Sequence, residues 1–247
     1  MKKTVLMMIL LTFVFLPMFG FQRLEPSSGG VLLRNHESIM EVATHIPNIE
    51  HVKEIVVLPS EEFNETEVLL MIRQISHIHS SILEKAVNQD LKLKFFQGPL
   101  TSQTGFTHLK GVKPRGHEQL TWDDIPGAGG SKLALAKIGY SEKGKSHGSV
   151  NLELHEFAHS IDLHVFHSLR NDHDFLEIWK EEAVLLFPSN PYFIENPEEY
   201  FAEVFAMFYF EEHTQLELFN KAPKTYLYLK ELPNREDTDL QRAFTFR

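Results

Sequence analysis

"NLELHEFAHSID", Asn151–Asp162, lies between the Gly/Ser/Lys-rich "SEKGKSHGS" (Ser141–Ser149) and a long run with apolar residues at helical spacing. Inside it His155, Glu156 and His159 spell H-E-x-x-H. Residues four apart on a helix stand one above the other on one face, so His155 and His159 can converge on a single ion. Zinc takes tetrahedral nitrogen and oxygen ligands at about 2 Å, and a catalytic zinc keeps one position for water. Glu156, turned about 100° from His155 around the helix, can reach that water as a general base. Two surface histidines beside an exposed glutamate would spell the same letters. A third ligand is therefore needed to decide between the two readings.

"ENPEEYFAEVFAMFYF" (Glu195–Phe210) offers that ligand. Glu199 and Glu203 are four apart on a helix whose other residues are strongly apolar, including Phe201, Val204, Phe205 and Phe208. A carboxylate among aromatics is costly unless it is paired or metal-bound. Pro197 suits a first helical turn and puts Glu198 and Glu199 at the positive helix end, where plain surface charges are also common. That bland account does not cover Glu203, a full turn deeper. The expected assignment is Glu199 as third zinc ligand and Glu203 orienting a ligand histidine from behind. His164, His167 and His173 do not supply a third histidine six residues after His159, where Val165 stands. His77 and His79 occupy a mostly polar stripe and read as structural.

Upstream of the motif the patterning is mixed. "KEIVVLP" (Lys53–Pro59), "LKLKFF" (Leu91–Phe96) and "KLALAKIGY" (Lys132–Tyr140) read as strands. Apolar residues recurring at three and four from Asn64 to about Gln89 predict one amphipathic helix. Gly98 to Ser131, rich in Gly, Pro, Thr and Asp, reads as a long loop, and such loops in compact domains are usually functional or disordered. After residue 150 the pattern is helical, over about 150–168, 173–187 and 197–212, then in shorter pieces to about 231. The expected fold class is α+β: one zincin-like domain, a small sheet with helices followed by an all-helical half that carries the motif.

Lys2 and Lys3 precede the apolar "VLMMILLTFVFL" (Val5–Leu16), which Pro17 ends well short of the roughly 20 residues that span a bilayer. Residues 1–20 thus read as a secretory signal, with no stable membrane span after its removal. Residues 21–50, containing the linker-like "LEPSSGG", read as an extension, 51–232 as the domain and 233–247 as a polar tail. With no cysteine in the chain, disulfides and thiolate ligands are excluded, and any zinc must be held by His, Asp or Glu. A net charge of −10 argues against nucleic acid or an anionic membrane as partner.

"LKGVKPRGHE", "TWDDIPGAGGS", "IGYSEKGKSH", "NLELHEFAHSID" and "PEEYFAEVFAMFYF" together resemble the anthrax lethal factor-like metallopeptidases, in order from about Ile55 to Leu232. Within that family they are similar to the secreted Pro-Pro endopeptidases. The resemblance implies zinc on His155, His159 and Glu199, Glu156 as base, and Tyr192 supporting the oxyanion of the transition state. It also implies that Trp122, His147 and Glu198 line the substrate cleft. His117 departs from the family's Trp at that position, in a shortened stretch before "TWDD", which bears on specificity rather than on chemistry. The expected protein is a secreted, monomeric, zinc-dependent endopeptidase acting on proline-rich protein or peptide substrates. Two other readings stand beside it: a non-catalytic binding module of the same fold, and a zinc hydrolase of cell-wall amides.

Overall fold

The computed structural model describes residues 29–114 and 119–235. The expected signal, residues 21–28, His117 and residues 236–247 lie outside the described residues. The chain begins with strand β1 (Val31–Leu32), helices α1 (Glu37–Ala43) and α2 (Ile49–Ile55), and strand β2 (Val56–Leu58). Helices α3 (Glu65–Ser76) and α4 (Ser80–Asn88) lead to β3 (Lys92–Phe96), and a long irregular stretch then reaches β4 (Gly127–Ala128) and β5 (Leu133–Lys137). The helical half follows: α5 (Leu152–His164), α6 (His173–Leu186), α7 (Pro191–Glu195), α8 (Pro197–Tyr209), α9 (Glu212–Lys221) and α10 (Pro223–Glu231).

The sheet order is β1-β2-β3-β5-β4. Its three central strands run parallel, with Val56 opposite Leu93 and Leu93 opposite Ala134. The two-residue strands β1 and β4 close its edges in antiparallel pairing. Parallel strands are covered on both faces, and alternation assigns the two covers. Leu93, Phe95, Ala134 and Ala136 join the main core with Leu154, Phe157, Phe201 and Phe205. Phe96 and Leu135 point the other way, onto Leu100, Phe106, Trp122 and Ile125 of the long stretch before β4.

Helix α5 starts where the Asn151 side chain accepts a hydrogen bond from the Leu154 amide at 2.9 Å. It packs chiefly against α8 and β5. Leu152, Leu154, Phe157, Ala158 and Ile161 are buried around its girth, the mark of a central helix. The α6 N-cap, Asp172, also accepts from Arg235 at 2.8 Å and from the Tyr228 hydroxyl at 3.4 Å, tying the last described residue to the body. Among the described residues no helix is long and apolar enough to cross a membrane.

Three readings of the sequence need correction. Residues 31–50, assigned to an extension, build β1, α1 and the start of α2, and Leu33, Ile39, Ala43 and Ile49 sit in the main core. The strand expected from Lys53 begins only at Val56, because the preceding residues finish α2. The single helix from Asn64 to Gln89 is two. It breaks at His77–His79, where Asn48 Nδ2 donates to the freed carbonyls of Ser76 and Ile78 at 2.9 and 3.1 Å and the His79 ring caps α4. Ile75, Ile78 and Ile82 all stay buried across the bend, so the apolar period carries no trace of it.

Candidate active site

Helices α5 and α8 bring three candidate ligands together. His155 Nε2 and His159 Nε2 are 3.3 Å apart, and Glu199 Oε2 lies 3.4 Å from the first and 3.3 Å from the second. A tetrahedral ion with bonds of about 2 Å has ligands about 3.3 Å apart, so three edges of that figure are already drawn. Glu199 Oε2 is buried and has no hydrogen-bond partner. An orphaned carboxylate oxygen among imidazole nitrogens is costly unless a cation satisfies it. The donor set, two imidazoles and one carboxylate, suits zinc and leaves a fourth position open. Burial alone would raise the Glu199 carboxyl, but the imidazoles of His155 and His159 beside it hold it well below the usual carboxylate range.

Glu203, one turn along α8, is almost fully buried. Its Oε2 lies 3.2 Å from His155 Nδ1, and its Oε1 accepts from the Val150 amide at 3.0 Å. With the His155 proton held on Nδ1, the Nε2 lone pair is turned towards His159 and Glu199.

Glu156 occupies the next position on α5, and burial pushes its carboxyl upward against the pull of His155 and His159. What lies against it is backbone. A β-carbon at Gly127 would come within 2.6 Å of Glu156 Cγ and 2.8 Å of Oε1. One at Gly129 would meet the Glu156 carbonyl oxygen at 2.2 Å and His159 Cβ at 2.9 Å. The Gly130 amide donates to Ser160 Oγ at 3.2 Å, docking the same segment one turn further along the helix. The sequence reading passed over Gly127 and Gly129. Their only signal is the glycine spacing in "PGAGGS", which says close approach without saying to what.

Tyr192 stands on the short helix α7. Asn190 Oδ1 caps that helix from the Tyr192 amide at 3.2 Å, Asn196 Nδ2 donates to the Tyr192 carbonyl at 2.8 Å, and Trp179 Nε1 donates to the Phe193 carbonyl at 3.0 Å. The Tyr192 ring is exposed at its outer side, while its hydroxyl end faces carboxylates. Burial, then Glu199, Glu156 and Glu198, push the phenol above its ordinary range, so it stays protonated and able to donate.

The remaining expected cleft residues are placed less uniformly. His147 Nε2–H donates to the Tyr140 carbonyl at 2.6 Å, its Nδ1 is buried without a partner, and burial lowers its pKa, so the ring is neutral. Glu198, in the first turn of α8, is close enough to act on Tyr192. Trp122 is half-buried and packs on Phe106, with centroids 6.5 Å apart, in the small cluster around Phe96, Leu100 and Leu135.

The "Anthrax toxin lethal factor, N- and C-terminal domain" family model matches residues 44–232. A Pro-Pro endopeptidase of Paenibacillus alvei is 38% identical over 180 residues, covering 72% of this chain and 82% of the relative. One of Clostridioides difficile is 39% identical over 187 residues, covering 75% and 84%. The solved structure of the Paenibacillus alvei Pro-Pro endopeptidase superposes with a TM-score of 0.70 at 36% identity, covering 74% of this chain and 99% of the other. With a match over most of its length, the chain belongs to the anthrax lethal factor-like family.

Proposed function

We propose that the protein is a secreted zinc endopeptidase that cuts proline-rich chains between two prolines, acting as a monomer on extracellular or cell-surface substrates. The observation that carries the metal chemistry is the triangle of His155, His159 and Glu199, with ligand atoms all within 4.8 Å and one of them orphaned. The bond specificity is supported by the two relatives named Pro-Pro endopeptidase, which are 38% and 39% identical to this chain over the aligned residues. Secretion is supported by the basic and apolar start of the sequence.

When bound, zinc supplies Lewis acidity that polarises a carbonyl oxygen and brings the pKa of water towards ~7. Glu156 accepts the proton of the attacking water and returns it to the departing nitrogen. The nitrogen of a Pro-Pro bond carries no hydrogen of its own, so this returned proton is what makes it a leaving amine. Tyr192, kept as a donor by the carboxylates around it, hydrogen-bonds the carbonyl oxygen as that oxygen gains charge. Proline-rich peptides bring a stiff, extended backbone with few donors, so less freedom is lost when they enter a cleft.

The test combines metal analysis with cleavage mapping. The mature protein is expected to carry about one zinc per chain and to lose activity to a chelator. His155→Ala and Glu199→Ala should lose the metal and Glu195→Ala should keep it. Products from a combinatorial peptide library should show proline on both sides of the cut. Release of peptidoglycan fragments without peptide cleavage would point to cell-wall amides instead.

A further inference from the structure

Asp123 takes no part in the chemistry above, yet its one carboxylate gathers three donors, two of them from far along the chain. Thr101 Oγ1 donates to its Oδ1, the Gly111 amide to its Oδ2 at 2.7 Å, and Thr121 Oγ1 to the same oxygen at 3.3 Å. Its neighbour Asp124 differs: among the described residues that side chain bonds only the Thr121 amide and hydroxyl, at 3.0 and 2.9 Å, which is a local turn. Between the two, the Trp122 amide donates to the Val112 carbonyl at 2.9 Å. The stretch from Gly98 to Pro126 is therefore pinned at 101, 111 and 121–123 around one charge. The Thr101 and Gly111 bonds hold that carboxyl below its ordinary range, so the charge is present throughout neutral pH.

The clasp has two products. One is the packing of Trp122 with Phe106, Phe96 and Leu100 beneath the sheet. The other is the path of the chain three residues on, where Pro126 accepts from the Lys137 amide at 2.8 Å and Gly127 comes to rest on Glu156.

We infer that Asp123 is a positioning residue for substrate: it fixes the stretch that carries Trp122 and lays β4 beside the catalytic helix. This rests on the peptidase reading above for what the cleft binds, but not for what Asp123 holds.

Trp122 and Trp179 are the chain's two tryptophans, so Trp122 can be followed alone in a Trp179→Phe background. In that background Asp123→Ala should shift Trp122 emission to the red and make it more readily quenched by acrylamide. With Trp179 intact, Asp123→Ala should raise KM for a Pro-Pro peptide about tenfold while kcat per zinc-loaded molecule stays within about threefold. Asp123→Asn, which keeps an acceptor for Gly111, should fall between the two and decides the matter if the alanine variant does not fold. A purely structural role would instead lower the melting temperature and the zinc-loaded fraction with KM unmoved. Unchanged Trp122 emission together with unchanged KM overturns the inference. If the parent protein cuts no Pro-Pro peptide, the peptidase reading fails, and the emission result still decides whether Asp123 holds Trp122.

Discussion

Glu203 Oε2 sits 3.2 Å from His155 Nδ1 while its other oxygen is occupied by the Val150 amide, so this carboxylate has no freedom to turn away from the histidine. Carboxylates in this relation to a ligand histidine typically contribute 10–100-fold in metal affinity. Glu203→Ala is expected to weaken zinc binding by about that factor, and Glu203→Gln by less, because an amide oxygen still accepts from Nδ1–H. Competition against a chromophoric chelator measures both. An unchanged dissociation constant in the alanine variant would detach Glu203 from the metal.

Gly127→Ala tests the contact between β4 and α5. Its new methyl would fall within 2.8 Å of Glu156 Oε1, and the backbone carbonyl beneath neighbouring Gly129 leaves the strand little room to withdraw. We expect kcat to fall by about 10²-fold with zinc content and melting temperature nearly unchanged, since misplacing a catalytic group by about 1 Å costs that much. Steady-state kinetics with parallel metal analysis distinguish displaced chemistry from lost metal.

Glu156→Gln and Tyr192→Phe test the proposed base and the proposed oxyanion donor separately. The first keeps shape, so zinc and fold should persist while turnover falls by several orders of magnitude. The second should lower kcat by about 10²–10³ and leave KM nearly alone, because the hydroxyl is needed mainly in the transition state. Wild-type kcat in Tyr192→Phe would remove that residue from the mechanism.

Asp162 offers a stability measurement independent of activity. It is buried and accepts from the Leu169 amide at 2.7 Å, yet burial raises its carboxyl from 3.8 to about 6. A folded-state pKa above the unfolded one means that protonation favours the fold. The contribution is complete below about pH 4 and lost as pH rises through about 6. The shift is worth on the order of 2–3 kcal/mol. Asp162→Asn keeps an acceptor for Leu169 and drops the buried charge. Its melting temperature should exceed wild type by a few degrees at pH 7.5, with the gap closing by pH 4–5. A gap independent of pH would refute the titration.

How far the sequence could be read depended on whether a feature was local. His155 and His159 are fixed by helical spacing, and Glu199 and Glu203 by being acids on an apolar helix, so their meeting could be anticipated from periodicity and charge. Gly127 and Gly129 could not, because what makes them necessary is a helix that follows some 25 residues later in the chain. How Trp122 sits could not be read either, because an aromatic residue in a loop looks the same in sequence whatever share of its ring packs inward, and here it is half-buried against Phe106. The bend between α3 and α4 was hidden for a related reason. Its stabilising bonds come from Asn48, outside the window in which the period is measured.

The short edge strands have a consequence for how the protein behaves in crowded solution. A sheet grows by recruiting strangers at an open edge, and three parallel, apolar central strands would be an inviting nucleus for such growth. Here each side ends in a strand only two residues long, β1 and β4. Such a border offers too few free amides and carbonyls in a row to template another molecule. The native fold should therefore withstand concentration without fibril formation, and any aggregation should begin only once β1 or β4 has peeled away.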